Sequence, residues 1–197
     1  MAKLLLKLVD IESKLVWLYV KKTKCEIEII KVDDDSHQDS LPVLNIFPYL
    51  IDGEIEVWGV QPVLSYLAEK YGYNDLYNSE MKIKLNTTLS WISSTLCRYV
   101  LLSYVFPISK DDFKLENGNG SLIAYGLQKI NDQLHLLEEG VFTTDCSILE
   151  TQVTICDYYL ALVLMELIQY NFDFSKYPKL NIWNERFFAE IRSIIMF

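Results

Sequence analysis

The chain has 197 residues, of which 51% are apolar and 23% charged, so it is long enough for one large domain or two small ones and too apolar for wholesale disorder. Its formal net charge is −9 at pH 7, with 27 acidic residues against 18 basic ones. Because nucleic-acid affinity comes mainly from lysine and arginine neutralising phosphates, this balance argues against direct RNA binding by the chain itself.

The cysteines and histidines indicate neither a disulfide framework nor a metal centre. The four cysteines are scattered without a Cys-x-x-Cys pair, and only two histidines could complete a metal site: Cys25, Cys97, Cys146, Cys156, His37 and His135. Such thiols are typical of reduced core residues in a cytosolic protein. No segment reads as a signal peptide or reaches the ~20 apolar residues that span a bilayer. We expect a cytoplasmic protein with no metal, no cofactor and no membrane insertion.

Residues 1–75 predict a β-α-β-β-β-α order. Residues 3–9 form a buried first strand, Ile11–Thr23 a short helix, and the alternating Glu26–Val32 a second strand. A strand, a helix and a second strand in this order imply a parallel pair with a right-handed crossover. The acidic stretch Asp33–Ser40 reads as a loop.

An Asp52-Gly53 dipeptide between two short apolar runs predicts a tight hairpin, since glycine tolerates a positive φ. Its strands would be Tyr49–Ile51 and Ile55–Trp58. Gly59–Tyr71 then reads as a helix with Gly72 as its stop. This order predicts a thioredoxin-like first half.

Residues 79–197 read as an all-helical second half. The predicted helices are a long one from Ser79 to about Val105, an amphipathic Leu122–Glu138, a nearly all-apolar Thr154–Tyr170 and an amphipathic Leu180–Ile195. The polar, glycine-containing stretch Asp111–Ser121 separates the first two. The all-apolar segment is expected to be the central buried helix.

The start of that buried helix carries a capping box. Thr154 stands at the N-cap position and Asp157 at N3, so each side chain can bond the backbone amide of the other. This pattern has a structural role and no catalytic one.

Several of these motifs resemble the cytosolic glutathione-transferase (GST) family. Pro48-Tyr49-Leu50 before Asp52-Gly53 resembles the family's cis-proline hairpin, and Val63–Gly72 the helix after it. Thr154-Ile155-Cys156-Asp157 is similar to its capping box, and Phe174–Leu180 with Trp183 to the segment that follows. The resemblance implies an α/β plus all-α fold, with a thioredoxin-like N-terminal half followed by a GST-type helical half.

The resemblance does not extend to the family's glutathione-binding residues. Transferases have Glu-Ser at the start of the helix after the hairpin, where a helix N-terminus holds a carboxylate; here those positions are Gly59 and Val60. The family activates the thiol with a residue just after the first strand. Ser13 lies there, but Asp10 and Glu12 beside it oppose a thiolate. Ser13, Pro48, Gly59 and Val60 are therefore interpreted as degenerate glutathione positions, with no catalytic residue.

The alternative is an active glutathione-dependent transferase that uses Ser13 and the Pro48 loop. Against it, Ser13 fits better in the first turn of the helix, where it would have only a structural role. Retention on immobilised glutathione would favour the enzyme.

Among GST-like domains, the chain is similar to the N-terminal domains of synthetase-associated tRNA-binding cofactors, including the parasite tRNA import protein. The degenerate opening of residues 3–22 carries this resemblance. It implies a non-catalytic scaffold that homodimerises and binds aminoacyl-tRNA synthetases or other GST-like domains. Transfer RNA, and any association with membranes, would then involve other modules of a full-length protein. The candidate contact residues are Ile83, Trp91, Trp183, Arg186 and Phe187.

Overall fold

A computed structural model describes residues 2–33, 45–110, 118–141, 147–149 and 152–195. Most of the predicted acidic loop Asp33–Ser40, most of the polar stretch Asp111–Ser121, and the side chains of His37 and Cys146 lie outside these ranges. The account below concerns the described residues.

The N-terminal half is built on a mixed sheet of four strands in the order β2-β1-β3-β4. The strands are β1 (Lys3–Leu6), β2 (Glu28–Lys31), β3 (Tyr49–Asp52) and β4 (Ile55–Trp58). β1 pairs in parallel with β2 and antiparallel with β3, and β3 forms the predicted hairpin with β4. This is the thioredoxin-like arrangement that the sequence predicts.

Helix α1 (Ile11–Thr23) lies between the sheet and the helical half. It is apolar on nearly every side, and its buried apolar residues are Ile11, Leu15, Val16, Trp17, Leu18, Tyr19 and Val20. At its far end Lys22 forms an ion pair with Glu190, whose other oxygen accepts the Tyr158 hydroxyl at 2.8 Å. Helix α2 (Val60–Tyr71) follows the hairpin and packs beside α1.

The C-terminal half contains four longer helices. Helix α3 covers residues 82–109, and two π-helical stretches, Ile92–Cys97 and Leu101–Val105, interrupt its α-helical winding. Helix α4 (Gly120–Leu136) continues into a π-helical stretch, Leu137–Val141. Helices α5 (Ile155–Gln169) and α6 (Pro178–Ile195) complete the half, and α5 is buried along most of its length, as its all-apolar sequence predicts.

The predicted capping box at the start of α5 is present. The Thr154 amide donates to Asp157 Oδ2 at 2.7 Å, and the Thr154 hydroxyl lies 3.1 Å from the same oxygen. The Ser147 hydroxyl and the Ile148 amide also donate to this carboxylate, each at 2.8 Å. Asp157 therefore fastens the segment before α5 to the buried helix as well as capping it.

A second buried carboxylate caps helix α6, which the sequence does not predict. Glu138 accepts the amides of Lys179 and Leu180 at 3.0 and 2.9 Å. These amides belong to the first turn of α6, where N–H groups have no partner within the helix. An acid at the end of α4 thus fixes the start of the last helix.

Candidate functional site

A cleft of about 610 Å³ lies where the two halves meet. The turn between β1 and α1 forms one wall, and α3 with the end of α5 forms the other. The lining of this cleft includes Asp10, Glu12, Lys14, Cys97, Lys110 and Glu166.

Glu12 is the centre of a hydrogen-bond network in this cleft. Its Oε1 accepts the Ser93 hydroxyl at 2.6 Å and the Tyr159 hydroxyl at 2.9 Å. Tyr159 is fully buried, and burial raises the pKa of its hydroxyl. The network therefore joins α1 to α3 and α5, with both hydroxyls donating to a carboxylate.

The cleft wall carries more acidic than basic side chains. Asp10, Glu12 and Glu166 supply three carboxylates against the two lysines Lys14 and Lys110. Lys14 is 3.5 Å from Glu166, and the Lys110 ammonium lies 4.0 Å above the Phe106 ring. A negatively charged ligand would meet a net repulsive field here.

Ser13 does not reach the cleft. It is the third residue of α1, its side chain is 0% exposed, and its Oγ accepts the Lys7 amide at 3.2 Å. The structure thus places Ser13 in the first turn of α1 as a local backbone acceptor. In this position its hydroxyl cannot contact a ligand in the cleft.

The other three positions that the sequence analysis interprets as degenerate glutathione positions, Pro48, Gly59 and Val60, lie at the hairpin and the start of α2. The Phe47–Pro48 peptide bond is cis, and Pro48 O accepts the Gly59 amide at 2.9 Å. Gly59 is the N-cap of α2 with φ +82°, and the Val60 side chain is buried. Neither position offers a charged or hydroxyl side chain for a ligand.

The described ranges contain neither a cluster of metal-binding side chains nor a membrane-spanning helix. No group of three or more His, Cys, Asp or Glu side chains there could hold a metal ion. Likewise, none of the helices in that part of the chain is long and apolar enough to cross a bilayer.

No protein-family model and no curated protein matches the sequence. Solved structures do match. Human glutathione S-transferase T1-1 has a TM-score of 0.77 at 23% identity, covering 100% of this chain and 90% of that one. A delta-class glutathione transferase of Nilaparvata lugens has a TM-score of 0.79 at 19% identity, covering 98% and 92%. Glutathione transferase F7 of Populus trichocarpa has a TM-score of 0.79 at 15% identity, covering 100% of both chains.

The chain has the GST fold. At these identities the likeness establishes the fold alone. The predicted architecture, a thioredoxin-like half followed by a GST-type helical half, is confirmed.

Two of the five residues predicted to contact a partner are buried. Trp183 and Phe187 are only 3% and 5% exposed, because both face the interior of the helical half. The Phe187 ring packs at 4.7 Å from Trp183 and 5.2 Å from Tyr158, measured between ring centroids. These side chains stabilise the GST fold from within and offer almost no surface to a partner.

The remaining candidates are at the surface to different degrees. Ile83 is 84% exposed at the start of α3, and Arg186 is exposed on α6. Trp91 is half-buried, and its indole N–H donates to Gln133 Oε1 at 3.0 Å, which joins α3 to α4. Ile83 is therefore the strongest contact candidate in this GST fold.

From the sequence, Glu12 is interpreted only as a charge near Ser13, and its hydrogen bonds to Ser93 and Tyr159 are not predicted. A signal was present, however. Position 12 lies four residues before Val16 and seven before Tyr19, so the acid shares a helix face with two fully buried residues. An acid on a buried face requires hydrogen-bond partners.

We expect the two buried thiols of the GST core to be unreactive in the folded state. Burial raises the pKa of Cys97 to about 12, and burial also raises the pKa of Cys156. Because the thiolate is the reactive form, a Cys25→Ser/Cys146→Ser variant should show no fast reaction with Ellman's reagent between about pH 7 and 9.

Unfolding that variant in guanidinium should make both remaining thiols react at once. The single Cys146→Ser variant serves as the control, because Cys25 is partly exposed and should react in the folded protein. A rapidly reacting thiol in the folded double variant would contradict the burial of Cys97 or Cys156.

Proposed function

We propose that this chain is a GST-fold assembly domain without transferase activity. The observation that carries the proposal is the position of Ser13: its hydroxyl accepts a backbone amide and is closed off from the cleft. A hydroxyl that activates a thiol has to donate a hydrogen bond to the thiolate from within the site. The Ser13 hydroxyl is 0% exposed and so does not have this access.

The charge of the cleft supports the same proposal. Glutathione carries a net negative charge, and its thiolate adds another. Asp10 and Glu12 lie on the wall nearest the β1–α1 turn, and the Ser93 and Tyr159 hydroxyls donate hydrogen bonds to Glu12. The two carboxylates on this wall therefore favour a protonated thiol over a thiolate.

The surface proposed for assembly is the exposed face of α3. Ile83 begins it, and it continues at helical spacing through small polar residues: Thr87, Ser90 and Ser94. The Lys82–Glu69 ion pair holds this edge of α3 against α2, so the two helices present one surface. An isolated exposed isoleucine flanked by small side chains allows a second helix to approach closely.

We further propose homodimerisation through this surface and binding of protein partners. The partner class follows from the sequence resemblance: aminoacyl-tRNA synthetases or other GST-like domains, with tRNA bound only by a separate module. The net charge of −9 supports the assignment of tRNA binding to a separate module, because phosphate binding depends mainly on lysine and arginine and acidic residues outnumber them here.

The test of the proposal is a thiol-conjugation assay with 1-chloro-2,4-dinitrobenzene and millimolar glutathione, run beside light scattering. We expect a dimer mass that glutathione does not change, and a rate equal to that of the uncatalysed reaction. Saturable turnover that disappears in Ser13→Ala would contradict the proposal and establish the transferase alternative.

We expect Ile83→Arg to convert the dimer into a monomer. The substitution places a charge in the centre of the proposed interface, where a second copy would have to desolvate it. Ile182→Arg is the matched control, since Ile182 is an exposed isoleucine on α6, away from the proposed surface. Both variants should keep the parental melting temperature within a few degrees. A dimer that survives Ile83→Arg would show that this surface is not the interface.

A further inference from the structure

A second cavity, of about 690 Å³, lies at the opposite end of α5 from its capping box. One wall is a face of α6, which supplies Asn181, Asn184, Glu185 and Phe188. The other is the connection from α5 to α6, which supplies Phe172 and Phe174. None of these residues lines the cleft described above, so the two sites are separate.

Asn184 is the unusual residue of this cavity. Its side chain is only 2% exposed, and within the described residues its Oδ1 has no hydrogen-bond partner. Buried polar atoms in folded proteins almost always have a partner, so an unpaired acceptor at a cavity wall requires an explanation. A ligand N–H group would supply the missing donor, and the Nδ2 of the same planar amide could donate to an adjacent ligand acceptor.

Aromatic rings supply the rest of the wall. Phe172 and Phe174 pack together with ring centroids 5.0 Å apart. On the α6 side, the Arg192 guanidinium covers the Phe188 ring at 4.1 Å and supports it. Half-buried phenyl rings around a cavity offer a stacking surface for a flat ring system.

The charge at the cavity selects against anions. Glu185 contributes an exposed carboxylate to the lining, and its Oε1 accepts from the Asn181 amide at 3.4 Å. Among the described lining residues there is no lysine or arginine, and the nearby Arg192 guanidinium is stacked on the Phe188 ring. A ligand with phosphate groups would be repelled at this rim, whereas an uncharged one would not.

We propose that this cavity binds an uncharged, planar heteroaromatic molecule whose edge carries a hydrogen-bond donor beside an acceptor, as in a purine base or its nucleoside. An asparagine amide matches such an edge with two hydrogen bonds, and the phenylalanines provide the stacking. This inference does not depend on the assembly proposal, because it uses different residues and a different readout.

The test is a titration of the ¹⁵N-labelled protein with adenine, adenosine and ATP, followed by amide-resolved NMR. We expect saturable shifts of the Asn184 side-chain NH₂ and of the Phe172 and Phe188 backbone amides with adenine and adenosine. ATP should bind about tenfold more weakly, because its phosphates meet Glu185. Toluene, which stacks but has no polar edge, should also bind weakly.

Asn184→Leu should weaken adenine binding about tenfold or more, because it removes both hydrogen bonds. Its melting temperature should be equal or higher, since an unpaired buried amide is replaced by an apolar side chain. Gln133→Leu is the control, since it removes a half-buried amide on α4, outside this cavity, and should leave binding unchanged.

Two outcomes would overturn the proposal. One is the absence of saturable adenine or adenosine shifts at millimolar concentration, which would mean that the cavity holds only water. The other is adenine binding that Asn184→Leu does not change while the variant remains folded.

Discussion

Asp157→Ala is expected to lower the free energy of unfolding by about 4 kcal/mol, because it removes a helix cap and leaves several buried donors unpaired. The Thr154 and Ile148 amides and the Ser147 hydroxyl all donate to this carboxylate. Alanine provides no acceptor for any of them. Urea denaturation followed by circular dichroism measures the loss.

Thr154→Ala is the comparison for this prediction. It keeps the carboxylate and the backbone donors and removes the threonine hydroxyl with its methyl group, so it should cost about 1 kcal/mol. Equal losses in the two variants would contradict the role of Asp157 as a connection between the preceding segment and α5.

Gly126→Ala should have a comparably large effect for a different reason. Gly126 is buried on α4 at the point where this helix crosses α3. A Cβ added there would lie 2.5 Å from the Ser103 carbonyl oxygen and 2.8 Å from its carbon. Because the obstacle is backbone, the helices must separate, and we expect a loss of about 3 kcal/mol in the free energy of unfolding.

Gly140→Ala is the matched control. Gly140 also lies in helical winding, but among the described residues outside its own helix turn no atom comes within 4 Å of its added Cβ. Since alanine is the better helix former, this variant should be neutral or stabilised by up to about 1 kcal/mol. A Gly126→Ala protein as stable as Gly140→Ala would show that the two helices do not approach this closely.

The sequence predicts most of the fold because its signals are local. The periodicity of α1 gives Ile11–Thr23, the bounds that the structure has, and Asp52-Gly53 gives the hairpin between β3 and β4. The capping box marks the beginning of α5. The first two strands were predicted too long; residues 7–9, for example, are apolar or amphipathic but have no β partner.

The interruptions in helical winding were not predicted from sequence. Ile92–Cys97 and Leu101–Val105 look like ordinary helix, because one extra residue per turn changes the apolar spacing too little to stand out. The cap that Glu138 provides to α6 also escapes a sequence pattern. Its partners are 41 and 42 residues away and are brought near only by the packing of α4 against α6.

The candidate site was predicted only in part. The sequence placed Ser13 correctly as a helix residue, but its burial depends on the Lys7 amide and on the helices packed over α1. The network around Glu12 joins residues 81 and 147 positions apart. Trp183 and Phe187 were misjudged because an aromatic helix face has the same pattern whether it meets a partner or the core.

Because α1 is buried on nearly all its sides, the unfolding of the two halves should be coupled. The boundary near residue 78 separates the sheet-containing half from the all-helical half. Helix α1 lies in the first half of the sequence, yet it packs extensively against helices of the second half. Either half expressed alone would leave a broad apolar surface facing water. The chain should therefore unfold in one cooperative transition, with no stable intermediate in which only one half is folded.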